Sequence, residues 1–225
     1  MQKIIFADVD DISLDWIGDF NTAMGWEASY TPQVWGYPEM PITYEDVKTF
    51  IQRGPMNSPI QNSIDYLNKI QNQGWKVILI TSHPTNMMME RIKNLKEVGL
   101  KYDHIVFTQS FNDKGETVSF SKAQYIQEVY GHIKGYKILL DDRMKSVNEF
   151  VNLGLGFGVS MDRAYNSKEL AELQESVLLK KRIILGRHET RLGQVADALV
   201  RMDGLIKSLE CPVVANSYQN NKRSP

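Results

Sequence analysis

Lys3-Ile4-Ile5-Phe6-Ala7-Asp8-Val9-Asp10-Asp11 is an apolar run that ends abruptly in acids. A run of that length followed at once by carboxylates reads as a buried parallel strand delivering charge to its carboxyl edge. Open α/β sheets carry their sites at that edge. An acidic loop after a first strand is often no more than a solvated turn, so the rest of the chain decides between the two readings.

Working outward, the same construction recurs. Trp75-Lys76-Val77-Ile78-Leu79-Ile80 is a second apolar run, ending in Thr81-Ser82-His83-Pro84, and Tyr136-Lys137-Ile138-Leu139-Leu140 is another, ending in Asp141-Asp142-Arg143. Shorter strands are predicted at 104–108 and 157–161. Leu14, Trp16, Ile17, Phe20 and Met24 step by threes and fours, as do Ile60, Ile64, Leu67 and Ile70 in a helix predicted over 58–73 with Pro59 in its first turn. Further helices are predicted over 87–98, 121–130 and 146–153. About five strands alternating with helices predict an α/β fold: a Rossmann-like, three-layer parallel sheet.

Two stretches break the alternation. Over 26–50, Trp26, Tyr30, Trp35, Tyr37, Tyr44 and Phe50 are interleaved with Pro32, Pro38 and Pro41, which predicts a small cap inserted after the first strand, with a helix starting at Thr43. It is either a small hydrophobic core or a pocket that stacks a ring, with Trp26, Trp35 and Tyr44 as candidates. After 166, two helices are predicted over 167–185 and 188–209, forming a C-terminal helical extension. Leu192, Val195, Leu199, Met202, Ile206 and Leu209 of the second make a seam suited to a helical hairpin or to a second copy of the chain, the expected homo-oligomer contact. The core is thus expected over 1–25 and 51–166, the cap over 26–50, the extension over 167–210, and a flexible tail over 211–225.

Composition narrows the function classes. A chain of 225 residues, 42% hydrophobic and 24% charged, with a net charge of -1, has no overall attraction for nucleic acid or an anionic membrane. Cys211 is the single cysteine, which excludes an intramolecular disulfide and a multi-cysteine zinc site. No apolar stretch reaches membrane-spanning length, and Met1 leads straight into a strand-length run, so a cytoplasmic protein is expected.

The predicted strand ends gather Asp8 and Asp10, Thr81 and Ser82, and Asp141 and Asp142, with Lys114 or Lys122 between them. Acids converging in a poorly solvated cleft repel one another unless a cation sits among them, and an all-oxygen set suits Mg2+. Hydroxyls and a lysine can hold phosphoryl oxygens, and a carboxylate can act as covalent nucleophile with a second as general acid and base. Blander readings stand beside these. Thr81 and Ser82 could cap the next helix, His83 could be a surface group, Met87-Met88-Met89 could be packing, and Lys180-Lys181-Arg182 could be a solvated helix face.

Asp8-x-Asp10, the strand-end Thr81, the helix-start Lys122 and Asp141-Asp142, in that order, resemble the haloacid dehalogenase superfamily of magnesium-dependent phosphohydrolases over about residues 3–166. The opening 4–11, Leu139-Leu140-Asp141-Asp142-Arg143 and Met161-Asp162-Arg163-Ala164-Tyr165-Asn166 look most like the 5'(3')-deoxyribonucleotidases. The resemblance implies that Asp8 attacks phosphorus to give an aspartyl-phosphate, while Asp10 protonates the departing oxygen and later activates water. It also implies magnesium held by Asp8, the Asp10 backbone carbonyl, Asp141 and Asp142, with Thr81 and Lys122 on the phosphate; Lys114 is the alternative lysine. Ile12 stands where the family has threonine or valine. The implied substrate is a small phosphate ester, a deoxynucleoside monophosphate. The alternatives are another phosphate ester or a polynucleotide end, and a catalytically silent binding module of the same fold.

Overall fold

Strand β1 (Gln2–Ala7) turns Ile4 and Phe6 to one side and Ile5 and Ala7 to the other, and all four are buried. A strand that is apolar on both faces must lie inside a sheet covered on both faces. That is its position in the computed structural model, which describes residues 1–32, 43–53, 57–111, 117–171 and 182–210. The strands β2 (Lys76–Pro84), β3 (His104–Phe111), β4 (Thr117–Ser119), β5 (Gly135–Leu140), β6 (Phe157–Met161) and β7 (Ile183–Gly186) join β1 in one seven-stranded sheet of order β4-β3-β2-β1-β5-β6-β7. Every neighbouring pair is parallel except β3 and β4.

One face packs Ile5, Val77, Leu79, Ile138 and Leu140 under helix α3 (Gln61–Asn72), with Leu95 of α4 (Met88–Glu97) alongside. The other packs Phe6, Ile78, Ile80 and Leu139 under α5 (Lys122–Tyr130) and α6 (Met144–Asn152). This is the expected three-layer α/β architecture. Helix α1 (Trp16–Ala23) follows β1, and α2 (Tyr44–Arg53) lies in the inserted segment. Phe50 of α2 packs edge-on against Phe20 and Trp16 of α1, at ring-centroid separations of 5.3 and 5.8 Å.

Pro59 does not open α3. Its neighbour Ile60 is the N-cap, and Pro59 itself forms a β-bridge with Leu14. The larger departure is C-terminal. After the short α7 (Ser167–Ala171), residues 183–186 are strand and not helix: they pair with β6 from Gly158↔Ile183 to Met161↔Gly186. A four-residue apolar run is ambiguous by periodicity, and the open edge of β6 resolves it by supplying hydrogen-bond partners. Helix α8 (Arg191–Glu210) then folds back over the sheet. Its seam residues Val195, Leu199, Met202 and Ile206 are buried in the same cluster as Ile5 and Trp75, so this seam faces the chain's own sheet. Gly186 permits the close approach, because a Cβ there would stand 2.2 Å from Gln194 O and 2.6 Å from the Ala198 Cβ. Among the described residues no helix is long and apolar enough to cross a membrane.

Candidate active site

The sheet register brings the acids together. Ala7 pairs with Leu79 on one side and Leu140 on the other, so the residues that follow β1 and β5 leave the sheet side by side. The Asp8 N–H donates to Leu140 O at 2.8 Å, continuing the ladder one residue beyond the strand. Asp8, Asp141 and Asp142 are all buried, with ligand oxygens within 4.8 Å of one another. The Lys122 ammonium lies between two of them, 2.7 Å from Asp8 Oδ2 and 2.8 Å from Asp141 Oδ2. Ser121 places it, since its hydroxyl caps α5 by accepting from the Gln124 N–H and so makes Lys122 the first helical residue.

Three buried carboxylates against one ammonium leave the cluster net negative. Burial raises the Asp8 pKa well above the usual carboxylate range, with Asp141, Asp142 and Asp10 adding to it and Lys122 opposing. Asp142 is pushed up to about 6, by burial first and then by Asp141, against a hydrogen bond from the Tyr165 hydroxyl. For Lys122 burial works against the charged form, but Asp141 and Asp8 outweigh it and raise its pKa. Such a set of hard oxygen donors fits a small divalent cation such as Mg2+, whose charge would relieve the repulsion. The Asp10 carboxylate is not among these donors.

Asp10 stands at the mouth of the cluster. Its Oδ2 accepts from the Thr81 hydroxyl at 3.4 Å, and its Oδ1 pairs with Arg91 Nη2 at 2.6 Å. Thr81 is wholly buried on β2 just before a break in the β2/β3 register, and its hydroxyl also accepts from the His83 N–H at 3.0 Å. Thr81 is therefore not the cap of the following helix. Ser82 is half-buried beside it. His83 is buried and not a surface group: burial, then the neighbouring Arg91, lower its pKa to about 4, which keeps the imidazole neutral.

Of the aromatic candidates, Trp26 is half-buried with its ring edge-on to Phe20 at 6.1 Å, part of the small aromatic cluster with Trp16 and Phe50. Tyr44 is the first residue of α2. Trp35, Lys114, Lys180 and Lys181, the Tyr44 side chain and the tail from Cys211 lie outside the described residues. Arg182 lies over the Phe157 ring at 5.5 Å.

Several residues at the site were given no individual role by the sequence. Asn166 donates to Asp142 O at 2.6 Å and to Met161 O at 3.0 Å, while its side-chain oxygen accepts from the Met144 N–H at 3.1 Å, tying three segments together. Arg91 carried a signal. On α4 the inward positions are Arg91, Asn94 and Leu95, so two polar residues occupy core-facing helical spacing. Arg191, which reaches the loop after β1 from the far end of the chain, carried none.

Residues 1–148 match the profile of a family described as HAD superfamily, subfamily IIIB (acid phosphatase). No curated protein sequence is significantly similar to the chain. Among solved structures, a predicted phosphatase from Clostridium acetobutylicum aligns at 13% identity and a TM-score of 0.56, over 91% of this chain and 99% of that one. A phosphatase of provisional assignment from Clostridium difficile aligns at 15% identity and a TM-score of 0.52, over 84% and 95% of the two chains. At these identities the likeness is one of fold. A chain of the Pnkp1/Rnl/Hen1 complex aligns at 18% identity and a TM-score of 0.44 over 71% of this chain, which spans 46% of that one.

Proposed function

The chain belongs to the HAD superfamily of phosphatases, through its subfamily IIIB, and on that premise we propose that it is a magnesium-dependent phosphomonoesterase acting on nucleoside monophosphates, deoxynucleotides foremost. One observation carries the chemistry: a single lysine held between Asp8 and Asp141 at 2.7 and 2.8 Å, inside a triad of buried acids. The nucleotide preference is supported by the motif resemblance at 4–11, 139–143 and 161–166 and by the aromatic residues inserted after β1. A cytoplasmic setting is supported by the single cysteine.

Asp8 is the nucleophile. Its carboxylate oxygen attacks phosphorus, the bond from phosphorus to the ester oxygen breaks, and Asp10 passes a proton to that oxygen as the alcohol leaves. Water then attacks the aspartyl-phosphate, Asp10 takes the water proton, and the Asp8–phosphorus bond breaks to release inorganic phosphate. Lys122 opposes the burial that raises the Asp8 pKa and offsets the phosphate charge, while the Thr81 and Ser82 hydroxyls donate to phosphoryl oxygens. Asp8, Asp141, Asp142 and the Asp10 carbonyl are the residues that would hold Mg2+, which supplies positive charge for the transferring group.

The test is phosphate release from a panel of nucleoside monophosphates, sugar phosphates and 3'-phosphorylated oligonucleotides with Mg2+ present. Nucleotide turnover that Asp8→Asn abolishes is expected. Turnover surviving that substitution sinks the covalent mechanism, and turnover of the other esters alone replaces the substrate.

A further inference from the structure

Arg91 stands behind Asp10, away from the cleft: its side chain is 2% exposed where that of Asp10 is 23%. It is held from several sides. Nη1 donates to Asn57 Oδ1 at 2.9 Å, and Nη2 lies 3.1 Å from His83 Nδ1 as well as 2.6 Å from Asp10 Oδ1. Asn57 is fixed in turn by Asn94, whose Oδ1 accepts the Asn57 N–H at 3.0 Å and whose Nδ2 donates to Asn57 O at 3.2 Å. Asp19 of α1 accepts from Asn57 Nδ2 at 3.3 Å. A guanidinium locked this way presents Nη2 to Asp10 in one direction, and arginine can only donate.

We infer that Arg91 is a positioning residue for Asp10, confining its exchangeable proton to Oδ2 and aiming that proton at the ester oxygen of the bound phosphate. With a guanidinium nitrogen 2.6 Å away, Oδ1 is the less basic of the two oxygens, because a proton there would face the positive charge. The proton therefore resides on Oδ2, which lies 3.4 Å from the Thr81 hydroxyl, on the side where phosphate is held. The inference rests on the reading of Asp10 as general acid and base.

It also deepens the substrate class. In the first step the Oδ2–H bond breaks and the proton joins the departing oxygen as the phosphorus–oxygen bond breaks, so Arg91 matters in proportion to the basicity of that oxygen. Alkyl esters, whose alkoxides are strongly basic, depend on it. An aryl ester with an acidic phenol does not.

The experiment compares kcat/KM, which reports formation of the aspartyl-phosphate, for a nucleoside monophosphate and for p-nitrophenyl phosphate. Arg91→Gln is expected to lower the first by about 100-fold and the second by less than about fivefold. Arg91→Lys should restore part of the alkyl-ester loss, since an ammonium keeps the charge but lacks the fork that reaches Asp10 and Asn57 together. If the Gln variant does not fold, the same selectivity is read on the Lys variant, at about tenfold against the alkyl ester. Equal losses on the two esters, or no loss on either, overturn the inference. Asp8→Asn retaining turnover removes the underlying reading, and this inference with it, and is told apart because it needs no Arg91 variant.

Discussion

Arg191 Nη1, in the first turn of α8, lies 2.9 Å from Asp11 Oδ1 across 180 residues of chain. The same guanidinium pairs with Asp15, and Arg163 reaches Asp11 O at 3.5 Å. Asp11 has φ 57, an uncommon conformation for an aspartate, and its carboxylate also accepts the Ile17 N–H at 3.1 Å. The last helix therefore clamps the turn that follows Asp8 and Asp10, from outside the residues matched by the family.

Removing that guanidinium takes from the buried Asp11 carboxylate the charged partner it faces and leaves it the Ile17 N–H. Arg191→Ala is expected to lower the unfolding free energy by about 3 kcal/mol, and Arg191→Lys to recover part of it. Urea unfolding followed by circular dichroism measures both. An unchanged midpoint for the alanine variant would show that the turn stands without the clamp.

His83 makes stability depend on acidity. Its folded pKa, lowered to about 4 from an ordinary 6.5, lies below the unfolded value, so the unfolded chain binds the proton more readily. The contribution is complete above pH 6.5 and is lost as pH falls toward 4, by at most about 3 kcal/mol. Unfolding of wild type and His83→Gln at pH 7 and at pH 5 separates this from the carboxylates: the gap between the two proteins should narrow in acid. A gap independent of pH contradicts the assignment.

The acid cluster predicts the opposite sign for the metal-free protein. Asp142, raised from 3.8 to about 6, keeps its proton better when folded, so its contribution is present below pH 3.8 and fades as pH rises to 6. A cation must displace that proton. Through Asp142, Mg2+ affinity should then climb by about fivefold from pH 5 to pH 6, with little further gain from that residue above pH 7. Calorimetry in buffers of differing ionisation enthalpy reads the protons released, and a release that does not shrink from pH 5.5 to pH 8 would be inconsistent with these carboxylates as ligands.

The legible parts of the sequence were those whose signal is local. β1, β2 and β5 announce themselves as apolar runs, and the acids and hydroxyl at their ends follow from position alone, because parallel strands in one sheet end on one edge. The helix-start Lys122 was legible for a similar reason, since its Ser121 cap is a neighbour in sequence. β7 was not. Ile183-Ile184-Leu185-Gly186 carries no period of its own, and its strand character comes from β6, more than twenty residues earlier. Arg91 shares core-facing helical spacing with Asn94 and Leu95, and only the contact with Asp10 shows what it faces. His83 looked like a loop histidine until the packing of α4 covered it.

By itself the sequence determined the alternation of strands and helices, the edge on which Asp8, Thr81 and Asp141 meet, and the class of chemistry that such a set of oxygens supports. Hydrophobic period and strand-end position are properties of neighbouring residues, and they survive without a fold. Tertiary structure alone decided that the C-terminal seam closes over the chain's own sheet, that Arg191 clamps Asp11, and that Arg91 stands behind Asp10. The last two are contacts between charged groups 80 to 180 residues apart, from Asp10 to Arg91 and from Asp11 to Arg191, and nothing in the local pattern selects one partner over another until burial removes water as the alternative.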